Sequence, residues 1–272
     1  MNAVTYFAPE CRQATADIGL RGFWMGYFAC RAAPMGPVAP GVVESTFFNF
    51  HPTMVRRAIP DAWGIAAPES VLSARSSAAA AAITRLVPGA DEVATAVVPS
   101  LLAAARRGAA AGRPLFAANR DLLERHRGVS ALWQAATTLR EHRGDGHVAV
   151  LTESGLDGCE ALALFASTEE VPADLLRTAR GWSEAEWGDA VERLTSRGLV
   201  TSEGGPTEGG RGLRRRIEQR TDELAAEPFD GVAGHAVDDL LRALRSVAQP
   251  IAASGEITFP NPMGLPRPST EV

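Results

Sequence analysis

Residues 155–226 read GLDGCEALALFASTEEVPADLLRTARGWSEAEWGDAVERLTSRGLVTSEGGPTEGGRGLRRRIEQRTDELAA. Apolar residues at helical spacing predict a helix over Leu156–Ser167, and a short extended piece around Val171 precedes a second over Pro172–Ala179. Gly181-Trp182-Ser183-Glu184 breaks the pattern: Ser183 is suited to cap a helix, and Glu186 stands three residues on, as a capping box requires. The helix opened there runs over Glu184–Arg197 and stops at Gly198. Leu199-Val200-Thr201 reads as a strand, residues 202–212 as a glycine-rich hairpin tip, and Leu213–Ala226 as a long helix. Three helices, a strand, a glycine-rich turn, a strand and a helix are the order of a winged helix-turn-helix with a short β-hairpin wing.

Upstream, residues 1–150 read as a helical domain punctuated by proline and glycine. Helices are expected over Leu20–Ala33, Val42–Phe50, Pro52–Ala62, Pro68–Val87, Asp91–Ala110, Leu115–Arg125 and Ser130–His142. The last runs into Arg143-Gly144-Asp145-Gly146, which has the composition of a turn. Ala58–Arg75 loosely echoes Thr178–Arg193, each with a tryptophan ahead of a helix start, so a degenerate winged helix is an alternative for this first part. The winged helix takes residues 151–230. A helix over Val237–Ala252 and an extended, proline-rich strap fill residues 231–272. The fold class expected is mainly α.

The chain has 272 residues, 46% hydrophobic and 22% charged, which is enough apolar material to bury a core and argues against disorder. No run approaches the roughly 20 apolar residues of a membrane span. The N-terminal residues lack the basic start and apolar stretch of a secretory signal, so a cytoplasmic protein is expected, with no membrane partner. Three cysteines without CxxC spacing make a disulfide framework or a cysteine zinc site a poor expectation. All 27 basic residues are arginine, which removes lysine Schiff-base chemistry and the Walker lysine. No GxSxG, P-loop or GxGxxG is present, and neither a cofactor nor a metal is expected.

Several strings recur together: YFAP (6–9), YFACRAAPMGPV (27–38), FFNFHP (47–52), AIPDAW (58–63), LWQAATTLREHRGDGHVAVL (132–151), GLDGCEAL (155–162), RGWSEAEW (180–187) and NPMGLP (261–266). In these the chain resembles a family of actinobacterial proteins classed as helix-turn-helix and distantly similar to the MarR regulators. That resemblance implies a winged helix and carries little functional content of its own.

A winged helix reads DNA with the start of its third helix and with basic residues on its wing. Here the third helix begins with Glu184, Glu186, Asp189 and Glu192 before its first arginine, Arg193. The wing tip carries two glutamates. The basic run Arg211, Arg214, Arg215 and Arg216 is interleaved with Glu218, Asp222 and Glu223, the pattern of an ion-paired solvated face. With a net charge of −5 as well, specific DNA binding is disfavoured.

Reactive side chains gather in three places. Glu44 and His51 are seven residues apart, two helical turns, and share a face if their helix reaches His51; a helix cap is the plainer role for His51. Arg140–His147 crowds Glu141, His142, Arg143, Asp145 and His147 near one turn. That set suits histidine–carboxylate acid–base chemistry, a two-imidazole metal site of no standard spacing, or a charge-paired clasp between halves. Third, Phe23, Trp24, Tyr27 and Phe28 with Arg31, plus Tyr6 and Phe7, are core material at helical spacing, and equally the wall of a pocket for a planar or acidic molecule, with Phe47 of the Glu44–His51 segment as a further lining residue. The combined expectation is a protein that binds a small planar or aromatic ligand between its halves, as a sequestering or resistance protein or a tailoring enzyme. The alternative is a MarR-like, ligand-responsive regulator. The sequence fixes no oligomeric state.

Overall fold

Proline at a first helical position loses nothing, because that N–H has no intrahelical acceptor. The first part of the chain uses this repeatedly. In a computed structural model that describes residues 1–169 and 171–261, proline opens α2 (Pro9–Asp17), α4 (Pro40–Phe47), α5 (Pro52–Arg56), α7 (Pro68–Leu86) and α9 (Pro114–Arg120). α1 (Val4–Phe7) precedes them, and α3 (Gly22–Ala32), α6 (Asp61–Ile65) and α8 (Ala90–Arg107) lie between. The helix predicted over Pro52–Ala62 is two short ones, and α7 starts without a side-chain cap, so the echo with the Ser183 helix does not extend to its capping.

The largest departure from expectation is α10 (Gly128–Glu153), one unbroken helix of 26 residues. The turn expected at Arg143–Gly146 does not exist. Gly144 and Gly146 each cost about 1 kcal/mol in a helix interior. Tertiary partners outweigh that cost, because Glu141, His142, Arg143, Asp145 and His147 are each bonded to another element, as described below. The boundary expected at residue 150 therefore falls inside a helix.

Residues downstream give α11 (Gly158–Thr168), α12 (Ala173–Arg180), α13 (Glu184–Ser196), α14 (Glu208–Ala226) and α15 (Gly234–Ala253). Both capping boxes form: Asp157 with Glu160 opens α11, and Ser183 with Glu186 opens α13. Gly181, in the left-handed region at φ 79°, makes the tight turn between α12 and α13. Leu164, Leu194, Val200, Leu213 and Ile217 bury the core beneath these helices.

The wing is a correction. Among the described residues no strand forms, and the expected hairpin reduces to one antiparallel bridge between Val200 and Pro206. Pro206 has no N–H to extend a ladder. Thr207 then caps α14 at once, so Glu208–Gly212, expected in the hairpin tip, is helix. The proline-rich strap falls largely on residues 262–272, outside the described ones.

Two further cores complete the molecule. One, around Trp133, Leu132, Ile83, Leu101 and Val247, joins α1, α2, α7, α8, α10 and α15. The other is aromatic, built from Tyr6, Tyr27, Phe28, Phe47 and Phe50 with Val43, Val55 and Ile59. No helix among the described residues is long and apolar enough to cross a membrane.

Candidate functional site

At 100° per residue, neighbours along α10 point in different directions. The cluster Glu141–His147 is therefore dealt out to three surroundings instead of converging. Glu141 and Asp145, one turn apart, are buried on the side of the N-terminal helices. Glu141 accepts from Arg31 at 3.3 and 3.4 Å and from Arg140 at 2.7 Å. Burial pushes its carboxyl up, but Arg140 and Arg31 outweigh that and hold it down at about 2. Asp145 accepts the Phe116 backbone N–H at 2.8 Å, replacing the side-chain cap that α9 lacks at Arg113.

His142 faces elsewhere. Its Nε2–H donates to Glu227 Oε2 at 3.0 Å, and Glu227 also accepts from the Ala109 N–H. Burial, with Arg113 nearby, lowers its pKa, so it is neutral near pH 7. Arg143 and His147 look toward α14. Arg143 donates to Glu218 at 2.8 Å and to Asp222 at 3.1 Å. The Thr221 hydroxyl already donates to Ile217 O at 2.7 Å, so it accepts the Nδ1–H of His147 at 2.9 Å. Burial lowers the His147 pKa to about 4. Among the described residues no three histidine, cysteine or carboxylate side chains converge as a metal would need.

Glu44 and His51 do not share a helix face. The chain leaves α4 after Phe47, Phe48 adopts φ 36°, and His51 caps α5 by accepting from the Thr53 N–H. With Nδ1 an acceptor, Nε2–H donates to Glu186 Oε1 on α13 at 2.8 Å. Glu44 pairs instead with Arg56 at 2.8 Å. His51 belongs to a latch on the helix-turn-helix. His51 N–H donates to Arg180 O at 2.9 Å, Trp182 Nε1–H donates to Asn49 O at 3.0 Å, and the His51 and Trp182 rings meet edge-on at 4.8 Å. Gly158 at the start of α11 is glycine for the same reason, since a Cβ there would sit 2.1 Å from the Phe48 carbonyl oxygen.

The aromatic residues do come together. The Tyr6 and Tyr27 rings meet at 4.6 Å, tilted by 37°, and Trp24, Phe28 and Phe50 join them ring to ring at 5.0–6.1 Å. Two guanidiniums cover the cluster: Arg31 lies 4.2 Å above Phe47, and Arg180, from α12, 4.5 Å from Phe50. Beside it a cavity of about 220 Å³ is lined by Tyr6, Phe23, Tyr27, Cys11, Cys30 and Arg12, among others. Burial raises the Cys11 and Cys30 thiols to about 12 and 11, so both are protonated and poor nucleophiles at pH 7. Sequence reading placed Arg140 and Phe50 in its candidate segments and missed Arg180. Arg180 reaches the cluster only through the latch.

The surface that a helix-turn-helix offers to DNA is acidic here. On α13, Glu184, Ala185, Gly188, Asp189 and Glu192 are exposed, while Arg193 is committed to Asp157 at 2.6 Å and Glu160 at 3.0 Å.

No curated protein and no solved structure gives a significant match to the chain. A profile described as a helix-turn-helix family matches residues 1–258, covering the N-terminal helices, the latch and the helix-turn-helix together, and the chain belongs to that helix-turn-helix family.

Proposed function

We propose that the chain is a small-molecule-binding protein on a helix-turn-helix scaffold, with its third helix retired from reading duplex DNA. The observation that carries this reading is the cavity of about 220 Å³ walled by Tyr6, Phe23 and Tyr27 and backed by the aromatic cluster under Arg31. Pockets pair apolar walls with a few polar groups in this way. His51, His142 and His147 are absent from the lining, and each holds a bond to another element, so acid–base chemistry by these histidines has no place in the proposal. Thermal melts of the purified protein against a panel of one- and two-ring aromatic compounds test it. A ligand at a hundred times its Kd stabilises by about 2.7 kcal/mol, a readily measured rise in Tm. A panel that leaves the melt unmoved overturns the reading.

One observation favours the alternative, a ligand-responsive, MarR-like regulator. The segment 49–54 touches both the aromatic cluster, through Phe50, and the helix-turn-helix, through His51 and Trp182. Mobility shifts with and without a bound compound decide between the two.

A further inference from the structure

Tyr6 and Tyr27 are 5% and 8% exposed, both line the cavity, and neither hydroxyl makes a hydrogen bond among the described residues. Both hydroxyl oxygens keep some accessible surface although their rings are buried, so neither is an enclosed donor and each is open to a molecule beside it. Two such hydroxyls, from rings 4.6 Å apart and tilted by 37° on different helices, are donors open to an acceptor. Their surroundings say what kind. Arg31, Arg140 and Arg180 stand there against Glu141 and Asp145, three guanidiniums to two carboxylates, which leaves a net positive charge behind the tyrosines. Arg31 contacts Glu141 at 3.3 and 3.4 Å, longer than the roughly 2.7–2.9 Å of a tight charge-assisted bond, so its capacity is not exhausted. Arg31 and Arg140 bear on the Tyr6 hydroxyl electrostatically, and burial keeps that hydroxyl protonated, a donor at any physiological pH. At the lining's outer side Arg12 is exposed, a cation where an anion would enter.

The remaining walls set shape and size. Phe23 and the Tyr27 ring offer flat faces, and Leu20, Gly22, Gly26 and Cys30 complete an apolar wall. At about 30 Å³ for each water, the cavity holds roughly seven waters, the room of a one- or two-ring molecule.

Building on the small-molecule reading above, we propose that this cavity takes an aromatic carboxylate of one or two rings, whose anionic oxygens accept from the Tyr6 and Tyr27 hydroxyls within the field of Arg31 and Arg140. Glu141 is then an internal counter-charge that keeps the two guanidiniums in place before the ligand arrives.

Isothermal titration of the full chain with benzoate and 2-naphthoate, each beside its neutral amide, tests this directly, on wild type and on Tyr6→Phe, Tyr27→Phe and the double variant. The expected result is a carboxylate that binds at least tenfold more tightly than its amide, and a double variant that loses tenfold or more of that affinity. Melts of the ligand-free variants accompany the titrations. Removing partnerless hydroxyls should leave Tm unchanged or higher, which separates lost binding from lost folding. Amides that bind as well as acids, or variants that bind as wild type, overturn the anion assignment while the small-molecule reading survives. A wild-type chain that binds other aromatic compounds but neither acid overturns it in the same way. If nothing in the wider panel binds, both fall.

Discussion

Asp145 carries its carboxyl into the interior with the Phe116 N–H donating to it, and burial lifts its pKa to about 6. In the unfolded chain the same group ionises near 3.8. The folded state therefore holds the proton more tightly. The stability this provides is complete below pH 3.8 and is lost as pH rises through 6. Asp145→Asn keeps an acceptor for Phe116 and never ionises. Its unfolding free energy should exceed that of wild type at pH 7.5 by up to about 3 kcal/mol, and the gap should close toward pH 4. Urea titrations at the two pH values check this. Glu141 behaves oppositely: with its pKa held down at about 2, its contribution is present above pH 4.5 and lost only as pH falls toward 2. Glu141→Gln leaves Arg31 buried with no carboxylate beside it. A loss of about 3–5 kcal/mol is expected, measured by the same titrations at neutral pH. The candidate residues were partly legible in the sequence. The aromatic set lies on one helix and its neighbours, where spacing speaks. The fates of Glu141, His142 and His147 depend on Arg31, Glu227 and Thr221, which no local pattern connects to them.

Among elements, the latch between segment 48–54 and the turn into α13 deserves the sharpest test. Gly158→Ala drives a Cβ against backbone, which has no flexible end to swing away, so that segment must lift off α11. Hydrogen exchange should then show faster opening of α12 and α13, with α7 and α8 unchanged. His51→Ala should do the same more gently, at about 1–2 kcal/mol, since it removes one charge-assisted bond to Glu186 and a ring contact with Trp182. The helix-turn-helix itself was readable because its signals are local: two capping boxes and a left-handed glycine lie within a few residues of the ends they define. The wing was misread because its glycines suit a hairpin as well as they suit the first turn of α14. Thr207, by bonding the Gly210 N–H, settles the choice for helix.

For the whole molecule, charge decides the outlook on nucleic acid. Duplex DNA presents one negative charge per ~1.7 Å, and α13 would meet it with Glu184, Asp189 and Glu192 exposed. No sequence-specific duplex binding is expected at physiological salt. Mobility shifts against the protein's own upstream region check this, and an affinity better than about 10⁻⁸ M that falls steeply with salt would overturn it.

Most two-part proteins join their halves by a flexible connector. Here the connector is α10, about 39 Å of continuous rod at 1.5 Å per residue, with its first half buried among α7, α8 and α9 and its second against α14. The rod offers no loop to a protease before its end, where Gly155 and Asp157 are exposed in the turn into α11, so limited digestion should cut at residues 154–157 and not inside α10. Nor do the halves form interchangeable cassettes. A cut at residue 150 would sever a helix and strip the cover from Val150 and Leu151, and a graft of either half onto another protein would have to bring the rod with it.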